Sequence, residues 1–352
     1  MTTELLESPR EPRTAARRLS IVTLTGTEDG GDPIRAFADA VRAGLTATPR
    51  TLPWSYFYDQ EGSRLFEEIC GLPEYYLTRA EDSLIRRYAD EMVESLSSGA
   101  ANGQEPTIVE LGSGSAVKTQ TLIAAALRRH GRVHYVPIDV SATALEDSAR
   151  RLLQRFPTLR VTGYVADYRR DLEEILVRAG GPRLVLFLGS SLGNYEPDDA
   201  SLLLERVARA LQPADCLLLG TDMEKDRSVL EAAYNDSAGV TAAFNRNILR
   251  RINRELGGDF RPENFRHRAV FDRYRGRVEM HLVSRCNQEV TIPAAGVRTW
   301  FAAEESIHTE NSHKYQPSTL IRLRSRAGLH EGAAWTDSRG WFRLQRWQRG
   351  ES

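Results

Sequence analysis

Val109-Glu110-Leu111-Gly112-Ser113-Gly114-Ser115-Ala116 is the segment from which the fold class follows. An apolar strand is predicted over 107–111, and a helix is predicted from about 118 to 129. The turn between them contains Gly112 and Gly114. Glycines lack a Cβ and let a ligand approach the backbone in the strand–turn–helix corner of doubly wound α/β folds. The segment therefore predicts a site for a nucleotide-like ligand.

Strands and helices alternate after this corner. Further strands are predicted at 133–138, 159–165, 183–188 and 215–220, and further helices at 142–155, 168–179 and 198–211. The strands are apolar runs, as expected where helices cover both faces of a parallel sheet. The alternation predicts an α/β fold built on a parallel sheet.

The remaining segments predict a second lobe. The pattern is helical over 225–254 and is typical of short antiparallel strands over 275–307. A final helix near 316–326 and strands near 332–335 and 341–346 could return to complete the sheet. Residues 1–33 are mostly polar and are predicted to form a flexible leader.

Composition argues against several classes of partner. The net charge of −1 gives no electrostatic case for nucleic acid or an anionic membrane. No apolar run approaches a membrane span, and the N-terminus lacks the apolar core of a signal peptide. Three widely separated cysteines fit a reducing cytoplasm. His308 and His313 are five residues apart, which alone does not indicate a metal site, so no metal is predicted.

The ligand class depends on what surrounds the glycine turn. A dinucleotide-binding motif would place a third glycine where Val117 stands. A P-loop would need Gly-Lys-Ser/Thr, whereas Lys118 follows Val117. Asp139 ends the second predicted strand, and Asp167 follows the third. Either acid alone could serve a turn or cap a helix, but together with the turn they look like an S-adenosylmethionine site.

Five further motifs carry a more specific resemblance. They are Tyr56-Phe57-Tyr58-Asp59, Leu72-Pro73-Glu74-Tyr75-Tyr76-Leu77-Thr78-Arg79, Phe187-Leu188-Gly189-Ser190-Ser191-Leu192-Gly193-Asn194, the stretch 234–245 (YNDSAGVTAAFN) and Thr309-Glu310-Asn311-Ser312-His313-Lys314-Tyr315. In this order they resemble the histidine-specific Nα-methyltransferases of ergothioneine biosynthesis. The similarity extends from about residue 36 to residue 345.

The resemblance implies a fold class and a division into domains. The expected fold is a Rossmann-like class I methyltransferase sheet with an inserted α+β substrate-binding domain. The predicted domain limits are 34–76 with 224–312 for histidine binding, and 77–223 with 313–352 for the methyltransferase domain.

The resemblance also implies roles for individual residues. Asn194, Tyr234 and Tyr58 would hold the substrate carboxylate, while Asn194, the Gly189 backbone and nearby Ser191 would meet the α-amino group. Among these, Asn194, Tyr58 and Gly189 are the predicted catalytic residues.

A second set would surround the imidazole ring. Glu310 and Ser312 would form hydrogen bonds with it, and the ring would pack against Tyr75, Phe66 and Met280. S-adenosylmethionine would be bound by a third set: Gly112, Ser113, Gly114, Lys118, Asp139, Asp167 and Tyr168.

The expected activity is transfer of methyl groups from S-adenosylmethionine to the α-nitrogen of L-histidine. The expected end product is Nα,Nα,Nα-trimethylhistidine (hercynine), in the first step of ergothioneine biosynthesis. Two alternatives stay open: an Nα-methyltransferase for another aromatic amino acid or histidine derivative, and a non-catalytic cofactor-binding protein. The expected state is a cytoplasmic monomer that binds small molecules.

Overall fold

A computed structural model describes residues 18–24, 32–96 and 103–350. The chain divides into two units. The first comprises the chain up to Leu24, Ala89–Leu186 and Ala210–Cys216, and the second comprises Thr25–Tyr88, Phe187–Arg209 and Leu217–Ser352. The domain limits expected from the sequence differ from these, and they stay a prediction.

The described residues contain β-strands and α-helices along their whole length. The strands are β1 (Leu19–Thr23), β2 (Arg50–Thr51), β3 (Thr107–Leu111), β4 (Val133–Asp139), β5 (Leu159–Val165), β6 (Arg183–Phe187), β7 (Cys216–Asp222), β8 (Phe265–Asp272), β9 (Arg277–Ser284), β10 (Gln288–Ile292), β11 (Val297–Phe301), β12 (Ser306–His313), β13 (Leu329–Thr336) and β14 (Phe342–Arg349). The helices are α1 (Pro33–Thr46), α2 (Gln60–Gly71), α3 (Tyr76–Met92), α4 (Thr119–His130), α5 (Ala142–Arg155), α6 (Tyr168–Ala179), α7 (Pro197–Ala210), α8 (Arg227–Ala233), α9 (Val240–Leu256) and α10 (Pro317–Arg326).

The first unit contains a parallel sheet with the order β1-β5-β4-β3-β6. Adjacent strands pair in parallel throughout this order. All five residues of β3 and of β6 are buried, which explains why apolar residues dominate these strands. Because β4 and β6 lie on opposite sides of β3, the strand order reverses there. In open α/β sheets, ligands bind beyond the carboxyl ends of the strands at such a reversal.

The second unit contains β7, β14 and β13 in that order, together with two smaller sheets. In one of these the order is β2-β12-β9-β8, and in the other β10 pairs with β11. Strand β9 pairs antiparallel with both β12 and β8. The predicted antiparallel strands after residue 275 are thus confirmed, as is the return of the C-terminal hairpin to lie beside β7.

The sequence predicts this architecture well where apolar periodicity is strong. The predicted α/β class with a Rossmann-like parallel sheet is confirmed, and the predicted helices 142–155 and 168–179 match α5 and α6 residue for residue. Helix α5 begins after Ser141, whose hydroxyl accepts from the Ala144 amide and so satisfies a free N–H of the first turn.

The prediction of a flexible leader over 1–33 is wrong at Leu19–Thr23, which form β1 and pair in parallel with β5. The physical reason is long-range: β1 is held by its pairing with β5, where Ile21 faces Gly163 and a Cβ on that glycine would lie only 2.8 Å from the Ile21 Cδ1 atom. A strand of five residues within a polar segment gives little periodicity to detect. Helix α1 also begins inside the predicted leader, at Pro33. Residues 1–17 and 25–31 lie outside the described residues.

None of the helices in the described ranges is both long enough and apolar enough to cross a membrane.

Candidate functional site

The glycine turn after β3 adopts a conformation that favours glycine. Gly112 and Gly114 have φ angles of +67° and +47°, a region that side chains disfavour. The amides of Gly112 and Ser113 both donate to the Ile138 carbonyl, at 2.9 and 3.2 Å. A Cβ on Gly112 would lie 3.7 Å from the Tyr168 ring. The turn is therefore tied to β4, and its backbone lies beside Tyr168.

Asp139 lies at the carboxyl end of β4, against the same turn. One carboxylate oxygen accepts from the Gly114 amide at 2.8 Å, and the other accepts from the Ser141 amide at 3.0 Å. Burial raises the pKa of Asp139, against the lowering effect of these backbone donors. A carboxylate has about four acceptor positions, so Asp139 can still accept from a ligand. This geometry suits a ligand that offers two adjacent hydroxyl groups.

Asp167 caps a helix and pairs with Arg169 in the structure. Its carboxylate accepts from the Arg169 amide at 2.9 Å and so caps α6. It also forms an ion pair with the Arg169 guanidinium at 2.6 Å. Burial opposes ionisation, but the bonds and charge of Arg169 outweigh it and lower the pKa of Asp167. The helix-cap alternative is thus present, and the predicted contact with the cofactor stays a prediction.

Two more predicted cofactor residues, Ser113 and Lys118, also lie in this unit. Ser113 is buried in the turn, and Lys118 stands at the cap position of α4. Glu110 precedes the turn and has no site role predicted from the sequence. It accepts from the Thr119 hydroxyl at 2.6 Å and from the Tyr135 hydroxyl. The available indication in the sequence was an acidic residue within an otherwise apolar strand, and in the structure Glu110 is buried.

In the second unit, four of the predicted substrate residues are aromatic and form a row of ring contacts. Centroids are 5.6 Å apart between Tyr58 and Phe66, 6.3 Å between Phe66 and Tyr75, and 6.0 Å between Tyr75 and Tyr234. All three contacts are edge-to-face, a favourable geometry for aromatic pairs. Phe244 has no role predicted from the sequence, and its ring centroid lies 5.8 Å from that of Tyr58. Its place in the motif 234–245 was the available indication.

A β-bulge in β12 separates two sets of paired positions. His308 pairs with His281 and Glu310 pairs with Met280, so Thr309 is an extra residue on β12. The Thr309 hydroxyl lies 2.8 Å from Asn245 Oδ1 and 3.0 Å from the Met280 carbonyl. These contacts hold the bulge in place and so fix the direction of Glu310.

Glu310 is a buried acid with one unpaired oxygen in the part of the chain that the structure describes. Its Oε2 atom is buried and has no hydrogen-bond partner among the described residues. Burial raises the pKa of Glu310 to about 8, although the positive charge of Lys314 acts in the opposite direction. An unsatisfied buried carboxyl is costly. It is therefore a group that a ligand with an N–H donor would satisfy.

Ser312 and Tyr234 meet next to a buried lysine. Their hydroxyl oxygens are 2.7 Å apart, and Lys314 Nζ lies 2.8 Å from each. Lys314 also forms an ion pair with Asp222, at 2.9 Å between Nζ and Oδ2. Lys314 and Asp222 were not assigned a role from the sequence, although Lys314 falls within the quoted motif 309–315.

The turn after β6 carries Gly189, Ser191 and Asn194. Gly189 has a φ of +73°, and its amide donates to the buried Glu81 carboxylate at 2.8 Å. The Ser191 hydroxyl donates to the Leu188 carbonyl at 2.9 Å. Asn194 ends a short 3-10 helix, and its half-buried amide makes no hydrogen bond to the described residues. Its amide is thus available to a ligand.

Each predicted set falls within one unit. The first unit contains the residues predicted to bind the cofactor: Gly112, Ser113, Gly114, Lys118, Asp139, Asp167 and Tyr168. The second contains those predicted to bind the substrate: Tyr58, Phe66, Tyr75, Gly189, Ser191, Asn194, Tyr234, Met280, Glu310 and Ser312. Within residues 18–24, 32–96 and 103–350, no group of three or more His, Cys, Asp or Glu side chains could hold a metal ion.

Known proteins are similar in sequence to this chain over nearly its whole length. A family described as histidine-specific methyltransferase, SAM-dependent, matches residues 37–349. A histidine N-alpha-methyltransferase from Mycolicibacterium smegmatis is 40% identical, with 93% of this chain and 98% of that protein aligned. One with the same name from Mycobacterium tuberculosis is 38% identical, over 93% and 98% of the two chains.

A more distant relative is ergothioneine biosynthesis protein 1 from Neurospora crassa. It is 31% identical over 82% of this chain and 32% of its own length. The resemblance inferred from the motifs is confirmed. The chain belongs to the family of histidine-specific methyltransferases that depend on S-adenosylmethionine.

Proposed function

We propose that this protein transfers methyl groups from S-adenosylmethionine to the α-amino nitrogen of L-histidine, up to the trimethylated product hercynine. This would be the first step of ergothioneine biosynthesis. The family membership and the names of the relatives support this activity. The observation that carries the choice of acceptor is the buried Glu310 Oε2 atom, which lacks a partner among the described residues.

Glu310 is the group that recognises the acceptor's ring. A neutral imidazole has one N–H donor and one acceptor nitrogen. Its N–H would satisfy Glu310, and its second nitrogen would meet Ser312, two residues further along β12. An acceptor without a ring N–H would leave the carboxyl unpaired, and sites built for a hydrogen bond reject such analogues strongly.

Apolar contacts would hold the ring beside Glu310. Met280 is paired with Glu310 across the strands and is 2% exposed, and Tyr75 is also buried. Phe66 contacts both Tyr75 and Tyr58. These side chains give a flat ring an apolar enclosure, with Glu310 as its polar end.

The amino-acid end of the substrate would bind at the turn after β6. The free amide of Asn194 can both donate to a carboxylate and accept from an amine. Tyr58 would contribute a hydroxyl donor to the carboxylate, and Tyr234 would lie beside it. The α-amino group would lie near the Gly189 backbone, whose direction is fixed by the bond from its amide to Glu81.

The first unit has features that fit S-adenosylmethionine. The turn at Gly112 and Gly114 gives a backbone surface without Cβ atoms, and Asp139 has free lone pairs beside it. We assign the ribose hydroxyls to Asp139, the adenine amino group to Asp167 with Tyr168 beside it, and the remaining contacts to Ser113 and Lys118.

The bound cofactor supplies an activated methyl group on its sulfonium. The protein's main task is then to align the acceptor nitrogen, and such orientation contributes about 7–11 kcal/mol in favourable cases. The α-amino group must be unprotonated to react. Desolvation beside Asn194 and the Gly189 turn would favour the neutral amine, with loss of its proton to water or a tyrosine.

Substituting Glu310 tests this assignment. Glu310→Ala should lower kcat/KM for histidine about tenfold to hundredfold, because the ring N–H loses its buried hydrogen-bond partner. The dissociation constant of S-adenosylmethionine should stay the same. Glu289→Ala removes a surface carboxylate paired with Arg298 and is the control. Histidine kinetics that are equal in the two variants would refute the assignment.

We favour this function over two alternatives. The relatives leave open an acceptor other than histidine, and we favour histidine because of Glu310. A non-catalytic binding protein would not need the carboxylate-binding groups that we assign to Asn194 and Tyr58. We further propose that the protein acts as a cytoplasmic monomer.

A further inference from the structure

A buried ionic cluster lies next to the proposed substrate residues in the second unit. Asp222 ends β7, and Lys314 follows β12, where the Tyr315 amide donates to the Asp222 carbonyl at 2.9 Å. The side chains of Asp222 and Lys314 are both 0% exposed. Asp222 also accepts from the Tyr76 hydroxyl at 2.7 Å and forms an ion pair with Lys225. Lys314 and Lys225 thus share one carboxylate.

All the donors of Lys314 are in use. An ammonium group has three N–H donors. Their acceptors are Asp222 at 2.9 Å, and Tyr234 and Ser312 at 2.8 Å each. Burial acts to lower the pKa of Lys314, but the charge of Asp222 outweighs it and the pKa lies above its usual value. Lys314 is therefore a cation with a fixed orientation.

This arrangement restricts where the two hydroxyl protons can point. Neither Tyr234 nor Ser312 can donate to an ammonium group, which has no lone pair. Their oxygens are 2.7 Å apart, so one hydroxyl donates to the other. Neither has a further partner in the described part of the chain, so the second hydroxyl proton has no acceptor within it. The pair can then offer one outward donor to a ligand.

We propose that Lys314, held by Asp222, is a positioning residue that orients the hydroxyls of Tyr234 and Ser312 toward the amino-acid substrate. This rests on the proposed function. Glu310 and Ser312 are two residues apart on β12, a spacing of about 7 Å along one face of a strand. Glu310 offers an acceptor, and the oriented pair offers a donor. Together they match a ring that carries one N–H and one lone-pair nitrogen.

The test compares two buried lysines that bind the same aspartate. Lys314→Met removes the ammonium group that contacts Tyr234 and Ser312. Lys225→Met removes the other lysine bound to Asp222, and among the described residues Lys225 contacts neither of those hydroxyls. We expect Lys314→Met to raise KM for histidine tenfold or more, with kcat changed less than threefold and cofactor affinity unchanged. Lys225→Met should change KM less than twofold. An equal KM change in both variants would overturn the proposal, because it would show a general effect of disturbing Asp222.

A second comparison tests whether Lys314 acts through the hydroxyls. In a Tyr234→Phe/Ser312→Ala background, adding Lys314→Met should change the dissociation constant of histidine less than twofold. A full tenfold effect there would overturn the proposal. If Lys314→Met does not fold alone, Asp222→Asn/Lys314→Met removes both buried charges, with Asp222→Asn/Lys225→Met as its control. We expect the first of these double variants to raise KM for histidine tenfold or more and the second to change it less than twofold. An equal KM change in both would overturn the proposal.

The outcomes distinguish this proposal from the proposed function. Failure of the wild-type protein to bind or methylate histidine refutes both. Wild-type turnover of histidine, with an unchanged KM in a folded Lys314→Met variant, refutes only the role of Lys314.

Discussion

Met280 and Glu310 are direct partners in the antiparallel pairing of β9 and β12. Side chains of directly opposed residues lie on the same face of a sheet. An apolar thioether and an unpaired buried carboxyl therefore lie side by side, with the Thr309 bulge fixing the position of Glu310. This pairing supports the proposed ring-binding role of both residues, since an imidazole needs an apolar surface and a polar partner at once.

Asp139→Ala should weaken cofactor binding without altering the acceptor site. Its carboxylate holds the Gly114 amide and keeps lone pairs available beside the turn. Loss of hydrogen bonds to a charged group predicts a dissociation constant for S-adenosylmethionine about tenfold to hundredfold higher. Isothermal titration calorimetry measures it, with the exposed Asp147→Ala on α5 as control. An unchanged cofactor affinity would show that the ribose lies elsewhere.

Gly193→Ala should disturb the turn that carries Asn194. A Cβ at this position would lie 2.9 Å from the His313 carbonyl oxygen, a backbone atom that cannot rotate away. Overpacking of this kind costs about 1–3 kcal/mol, and we expect a lower melting temperature and a higher KM for histidine. Cofactor affinity should be retained. Gly71→Ala, where a Cβ would meet nothing within 4 Å, is the matched control. Similar KM values in the two variants would contradict this role of Gly193.

Glu310 should make the ligand-free protein less stable as the pH rises. Burial raises its pKa from 4.5 to about 8 in the folded protein. Below pH 4.5 the group is protonated in both the folded and the unfolded states. Between the two pKa values the folded state binds more protons, so the free energy of unfolding falls as the pH increases, by about 1.4 kcal/mol per pH unit at most.

Glu310→Gln removes this titration while keeping the shape of the side chain. The stability of the variant relative to the wild type should therefore increase between about pH 5 and pH 8, the window set by the shifted pKa. Urea unfolding across this pH range measures the difference. A difference in unfolding free energy that is independent of pH would show that Glu310 does not titrate in this way.

The sequence predicted those parts of the structure that depend on local patterns. The glycine turn, the alternating elements after it and the position of Asp139 at a strand end all follow from periodicity and spacing. Strand β1 was missed because its stability depends on pairing with β5, far along the chain. Such long-range pairing leaves almost no trace in a segment of five residues.

In the candidate site, too, local motifs could be predicted and long-range contacts could not. The predicted residues came from motifs, whereas Lys314, Asp222 and Glu81 act through partners that are distant in sequence. Glu81 holds the Gly189 amide across 108 positions, and Tyr234 meets Ser312 across 78. A buried charge is recognisable only when its partner is known, and sequence alone does not supply that partner.

Methyl transfer to free amino acids tests the central claim most directly. The purified protein is incubated with S-adenosylmethionine and one amino acid at a time: L-histidine, L-tryptophan, L-tyrosine or L-phenylalanine. The masses of the products are then measured by mass spectrometry. We predict one, two and three added methyl groups on L-histidine, on its α-nitrogen, and a far lower kcat/KM for the other three. No methylated histidine, or a higher kcat/KM for another amino acid, would contradict the account.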